Sequence, residues 1–302
     1  MTMQTRGSSV PQLLERDVET PNGRVFVTEM PGEDPPIVLL HGFPDDHRIY
    51  SELLARLSPR RAVAFDFVGY GRSERKDGAH FSPEDHGAEI TAVLDALDID
   101  RAILVGHDAS GPDAVIYALA SPQRVAHVVL MNTVFGNRPS LKMPEMTRLF
   151  SDPQLTTLAD DMVGDPNQLF WLLTRWGQQL GVEEGTIQKS ILAQFYGDDQ
   201  QPDAIASIRA WTAVLRDALD QQEVLVDSGA LRRLEVPVSI IWGETDAYLT
   251  PSLATEIAAL FPGPSVHFIP GVGHYVQHGR PDEVAGLLKG CEDFLPNGPA
   301  DP

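Results

Sequence analysis

The stretch Leu104-Val105-Gly106-His107-Asp108-Ala109-Ser110-Gly111 most narrows what this chain can fold into. An apolar run from Ala102 to Val105 stops abruptly at a small–x–nucleophile–x–small pattern and passes into a helix-period segment. Small residues at Gly106 and Ser110 let the backbone make a sharp strand-to-helix turn, which lifts the side chain between them clear of the sheet. That side chain is Asp108, where most hydrolases built this way carry serine. A carboxylate attacking saturated carbon gives an alkyl ester of the protein, so the implied substrates carry an electrophilic sp³ carbon and not an acyl group. Centring the pattern on Ser110 would need glycine at 108 and 112, where Asp108 and Pro112 stand. The plainer alternative is that Asp108 merely caps the helix behind it.

Apolar runs at Arg24–Thr28, Ile37–Leu40, Arg61–Phe65, Ala102–Val105, His127–Met131, Val238–Trp242 and Ser265–Ile269 read as strands. Helix-period segments lie among them at Tyr50–Leu57, His86–Leu97, Ala114–Ala120, Ser252–Phe261 and Pro281–Phe294. This alternation predicts an α/β fold, a mostly parallel central sheet with helices on both faces and the site beyond the carboxyl ends of the strands. His41-Gly42, Asp66, Asp108, Asp246 and His274 all fall at such ends. From Gly136 to about Val226 the rhythm breaks into helical patterns (Gln168–Leu180, Glu184–Phe195, Ala204–Leu219) rich in Trp and Leu. The expected organisation is a core of residues 20–135 and 227–295, a helical cap (136–226) acting as a lid, and a disordered tail (296–302).

At 302 residues the chain has ample length for a buried core. Its formal net charge of −20 argues against nucleic acid and anionic membrane as partners and favours neutral or cationic substrates; a small apolar or neutral organic substrate is expected. The single Cys291 fits a reducing compartment, and the polar start of the chain lacks a signal-peptide core, so a cytoplasmic location is expected. No apolar run approaches membrane-spanning length. A homodimer is left open.

An aspartate nucleophile needs a base to activate water, an acid to orient that base, and donors for the oxyanion. His274, in Gly271-Val272-Gly273-His274-Tyr275, follows the last strand; Asp246, in Trp242-Gly243-Glu244-Thr245-Asp246, follows the one before it. Glu244 is the rival carboxylate. The order nucleophile, acid, base suits this kind of site. His274 and His278 are four apart, but Gly279 follows at once and no third ligand is evident, so no metal is expected, and no cofactor.

Together His41-Gly42-Phe43-Pro44, Asp66-Phe67-Val68-Gly69-Tyr70-Gly71-Arg72-Ser73, Gly106-His107-Asp108, Trp242-Gly243-x-x-Asp246 and Gly273-His274 resemble the α/β-hydrolase superfamily. Within it the chain is similar to the branch of epoxide hydrolases and haloalkane dehalogenases. The resemblance implies that Asp108 attacks carbon, His274 activates the hydrolytic water, and Asp246 orients His274. It implies an oxyanion hole from the backbone N–H groups of Phe43 and Ala109, with a cis Phe43-Pro44 peptide. Asn132 stands where some dehalogenases place their acid, which supports Asp246.

The electrophile is less legible. Dehalogenases of this type hold halide with a Trp directly after the nucleophile, where this chain has Ala109; Trp176 resembles their second, cap position. Epoxide hydrolases use cap tyrosines to protonate the opening alkoxide; the candidates are Tyr196 and, beside Asp246, Tyr248, while Leu215 falls near an expected tyrosine. Arginines that would hold a haloacetate carboxylate are lacking after Asp108. An epoxide needs one donor and no halide cradle, so the sequence leans to epoxide hydrolysis, with haloalkane dehalogenation as the alternative. An esterase-like or non-catalytic ligand-binding protein of the same fold comes behind both.

Overall fold

The computed structural model describes residues 13–75, 81–180 and 204–291. Its strands are β1 (Leu14–Thr20), β2 (Gly23–Met30), β3 (Glu33–Leu40), β4 (Arg60–Phe65), β5 (Ala102–Asp108), β6 (Val125–Thr133), β7 (Val238–Gly243) and β8 (Ser265–Ile269). They form one sheet in the order β1-β2-β4-β3-β5-β6-β7-β8. Pairing is parallel from β4 through β8 and antiparallel for β1–β2 and β2–β4. Ile37–Leu40, Ala102–Val105 and Val128–Met131 are fully buried runs, as a sheet covered on both faces requires.

The first strand escapes the sequence reading, which begins the core at residue 20. Leu14–Thr20 is an exposed edge with little apolar alternation. It is held by its ladder to β2 and by ion pairs, Arg16–Glu29 and Arg24–Asp17, both at 2.6 Å. The helix expected over Tyr50–Leu57 is instead a 3₁₀ turn, His47–Tyr50, running into a single α-turn, Ser51–Leu54.

Helix α1 (Pro83–Ala96) starts cleanly because Ser82 and Asp85 form a capping box and Pro83 supplies the first turn. Helix α2 (Gly111–Ala120) leaves the turn after β5. Between β6 and β7 lie α3 (Glu145–Ser151), α4 (Thr156–Gly164), α5 (Pro166–Gln179) and α6 (Ala204–Asp227). Helices α7 (Pro251–Ala258) and α8 (Pro281–Lys289) complete the described layers. The expected helix Glu184–Phe195, Tyr196 and the tail 296–302 lie outside the described residues. No helix among the described residues is long and apolar enough to cross a membrane.

The chain runs from β3 to β4 on one side and returns to β5 on the other, so β3 and β5 flank a topological switch point. Ligands of open α/β sheets bind in the crevice at such a point. Close backbone packing shapes this one: a Cβ on Gly106 would sit 2.7 Å from the Gly111 Cα and the Ser110 carbonyl. Gly106→Ala should therefore cost about 1–3 kcal/mol through overpacking. Gly286→Ala, in α8 with open space around it, should be neutral or stabilising. Urea unfolding of the two variants checks the contrast.

Candidate active site

Asp108 closes β5 with φ of 53°, a left-handed conformation that a non-glycine residue adopts only when its surroundings hold it there. The Thr133 hydroxyl donates to the Asp108 carbonyl. Buried Ser110 accepts the His107 N–H at 3.0 Å and donates to the Leu40 carbonyl at 2.8 Å. Ser110 is thus committed to bracing the turn, which leaves it poorly placed as a nucleophile.

The Asp108 carboxylate faces the end of β3. Its Oδ2 accepts the Phe43 N–H at 3.0 Å, and the Ala109 N–H also hydrogen-bonds the carboxylate. The Phe43-Pro44 peptide is cis, as the resemblance implies. On the other side stands His274, with Nε2 3.8 Å from Asp108 Oδ1 and Nδ1 2.8 Å from Asp246 Oδ2. Asp246 Oδ1 accepts the N–H groups of Tyr248 and Leu249, each at 3.0 Å. Its Oδ2 also accepts from Asn132 Nδ2 at 2.8 Å, while Asn132 Oδ1 accepts the Gly243 N–H. An acceptor so fully engaged is a carboxylate, and it fixes the proton of His274 on Nδ1. Glu244 is exposed and takes no part in this network.

Burial raises the pKa of Asp108, opposed by His274 and by the amides of Phe43 and Ala109. Burial also pulls His274 down, but Asp246, Asp108 and Asp45 outweigh it and push the imidazole up to about 9. Asp246 ends lower than usual, because His274 and its donors overcome its desolvation.

Asp45, which the sequence reading passed over, is wholly buried beside these groups. Its Oδ1 accepts the Tyr275 hydroxyl at 3.1 Å, and burial followed by repulsion from Asp108 pushes it up to about 8. Its only signal in the sequence was an acid directly after His41-Gly42-Phe43-Pro44. His41 holds the Phe67 N–H, and His107 contacts the His274 carbonyl, so both position loops. Asp66 holds the Gly69–Gly71 loop, accepting from His47 and the Arg72 N–H. Asp46, His47 and Asp66 are spaced like metal ligands, but Asp46 is engaged by Arg48 and Asp66 by His47 and Arg72.

Over Asp108 lies a chamber walled by Phe43, Ala109, Val134, Leu180, Trp211 and Leu215, among others. Trp211, on α6, stacks on Phe43 with ring centroids 4.0 Å apart. Trp176 and Tyr248 also line it. Trp176 is 5% exposed, and its indole N–H has no hydrogen-bond partner among the described residues. The Tyr248 hydroxyl, by contrast, donates to Glu145 and lies 2.6 Å from Gln179 Oε1. Burial and then that bond hold the Tyr248 phenol above its ordinary pKa.

A parallel sheet with an acidic turn after β5, an imidazole after β8 and an acid after β7 is the frame of one hydrolase class. The α/β hydrolase fold family matches residues 35–281, and the chain is a hydrolase belonging to that family. It is similar to Haloalkane dehalogenase 2 of Mycobacterium tuberculosis and Mycobacterium bovis, 28% identical across 92% of this chain and 96% of theirs. Among solved structures, the epoxide hydrolase CorEH superposes with a TM-score of 0.74 at 18% identity, covering 93% of this chain and 99% of that one. The meta-cleavage product hydrolase of Pseudomonas fluorescens IP01 gives 0.70 at 20%, covering 92% and 97%. These structural likenesses concern the fold.

The electrostatic arrangement makes a direct prediction. In Asp246→Asn the main support for the imidazolium is gone while burial remains, so His274 should fall well below about 9. Histidine NMR titration reads this; an unchanged value would assign the upward shift to another group.

Proposed function

We propose that the protein hydrolyses small, neutral, apolar substrates at an electrophilic saturated carbon through an alkyl ester on Asp108, with carbon–halogen bonds as the preferred target. The supporting observation is that Trp176, whose buried indole N–H has no partner among the described residues, lines the chamber that holds Asp108. It is a donor waiting for an anion. The haloalkane dehalogenase relatives point the same way.

Asp108 Oδ2 accepts the Phe43 N–H, so Oδ1 attacks carbon and the halide departs toward Trp176. His274 Nε2 then takes a proton from water as its oxygen adds to the ester carbonyl. The resulting oxyanion on Oδ2 is met by the Phe43 and Ala109 N–H groups, and the alcohol leaves with the proton from His274. Asp246 keeps the imidazole in the required tautomer throughout. Residues 136–226 serve as the cap, excluding water and setting substrate size.

Epoxide opening, toward which the sequence alone leans, is the second reading, favoured by Tyr248 at the chamber wall. There the phenol would have to give up its bond to Glu145 before protonating an alkoxide. Tyr196 lies outside the described residues.

In His274→Gln the ester should form and persist. Intact mass after incubation with 1-bromobutane should show a butyl group on Asp108, and 1,2-epoxybutane should leave less adduct. No adduct from either would overturn the mechanism; a dominant epoxide adduct would restore the second reading. Trp176→Phe should lower kcat/KM for bromoalkanes by about 10²-fold.

The pH dependence follows from the charges. His274 acts as base only when unprotonated, so ester hydrolysis rises with pH through its pKa. Alkylation removes the Asp108 charge, one of the causes that raise His274 to about 9, so the kinetic value should lie below that of the resting protein. Single-turnover decay of the ester against pH, compared with NMR titration, tests this. A kinetic value equal to or above the resting one contradicts it.

A further inference from the structure

Between α3, α4 and α5 lies a groove of about 470 Å³ whose lining includes Trp176, a residue it has in common with the reaction chamber. Helical spacing builds its walls. Met146 and Leu149 lie one turn apart on α3, Trp171 and Leu172 come from α5, and Met162 from α4 with Leu155 just before it. Trp171 is 63% exposed, so the groove offers uncovered aromatic surface as well as depth.

The polar groups at this groove are unusual for so acidic a chain. Arg148 of α3 and Arg175 of α5 both line it, and both are exposed. Neither forms an ion pair among the described residues. Both act on Glu145, the remaining charged wall residue, whose carboxylate accepts from the Tyr248 hydroxyl. The groove therefore carries one net positive charge on a chain of −20. That balance, beside walls of Met, Leu and Trp, fits a molecule with one negative charge and a flexible apolar tail. Guanidinium groups hold a carboxylate through paired N–H donors, and methionine packs against chains of variable shape. A doubly charged phosphate monoester would meet repulsion from Glu145, and a neutral molecule would leave both arginines without a partner.

We propose that this groove is a binding site for an amphiphilic monocarboxylate, its head group at Arg148 and Arg175 and its alkyl chain along Met146, Leu149, Met162 and Trp171. The site lies outside the reaction at Asp108 and does not depend on the proposed function.

The test titrates the full chain with decanoate, kept below its micelle concentration, and with 1-decanol and decyltrimethylammonium. Calorimetry should show one decanoate bound, with the alcohol and the cation each about tenfold weaker. Affinity for decanoate should fall about tenfold in the double variant Arg148→Gln/Arg175→Gln, the loss of two exposed charge contacts. Both positions are exposed, so this variant folds as the parent does. Met162→Trp, which fills the apolar part, should abolish binding with the arginines in place. Tryptophan emission should change on binding, and Trp171→Phe should remove most of that change. Equal affinity for acid and alcohol, or for parent and double variant, overturns the head-group assignment. Binding that survives Met162→Trp, or that leaves Trp171 emission unmoved, overturns the groove as the site. Concentration-dependent dimerisation that shifts Trp171 emission without any probe overturns it in favour of a second copy of the chain. In Asp108→Asn decanoate binding should persist; its loss would place the acid in the reaction chamber and overturn the proposal.

Discussion

The structure depends on a backbone held where it would not otherwise rest. At Asp108 the chain leaves β5 with a positive φ, and three bonds made within or across the turn keep it there: Thr133 to the Asp108 carbonyl, Ser110 to Leu40, and His107 to Ser110. None of these groups reaches the chamber, yet each fixes where the carboxylate stands. Glycine at 42 and at 106 is part of the same constraint. A Cβ at Gly42 would lie 2.5 Å from the Asp108 Cβ, so the β3 loop can bring its amide to the carboxylate only without one. Strain at the turn is thus offset by bonds that also set the Asp108 carboxylate against the Phe43 amide.

The second constraint is electrostatic. One imidazole serves Asp108, Asp246 and Asp45, and the protein separates these acids by the company each keeps. Asp246 has four donors and stays ionised; Asp45 has only a phenol and is pushed up to about 8. At neutral pH Asp45 therefore mostly holds its proton. Burial applies to all three; the charge of His274 and its donors offset it at Asp246, whereas repulsion from Asp108 adds to it at Asp45.

Much of this was legible in the sequence for identifiable reasons. Buried parallel strands write themselves as apolar runs, and the turns that carry Asp108 and His274 need glycine or serine at fixed offsets. What stayed hidden was long-range or lacked periodicity. Strand β1 carries charges along an edge, though Asn22-Gly23 at its turn is a hairpin signal. The short turns at His47–Leu54 read as a longer helix because Leu53, Leu54 and Leu57 are all buried, while Pro59 ends the segment. Tyr248 was legible as a neighbour of Asp246, but its partner Glu145 lies 103 residues away in sequence. Trp176 was legible as a cap indole; that its N–H goes unpaired is a fact of packing.

Packing also ties the choice of electrophile to the fate of the nucleophile. The surroundings that raise the pKa of Asp108 also leave its Oδ2 held by the Phe43 amide, and the proposed reaction uses the other oxygen. The same surroundings strengthen any bond from the Trp176 N–H to charge developing on a leaving group. A tyrosine already donating to a carboxylate gains nothing from that environment, because its proton must first leave a strong bond. On the proposed mechanism, a donor with no partner among the described residues and a carboxylate with one oxygen held by an amide together favour a reaction in which negative charge moves from Asp108 to a departing anion. Ring opening that needs a proton at once is the costlier path through the same residues.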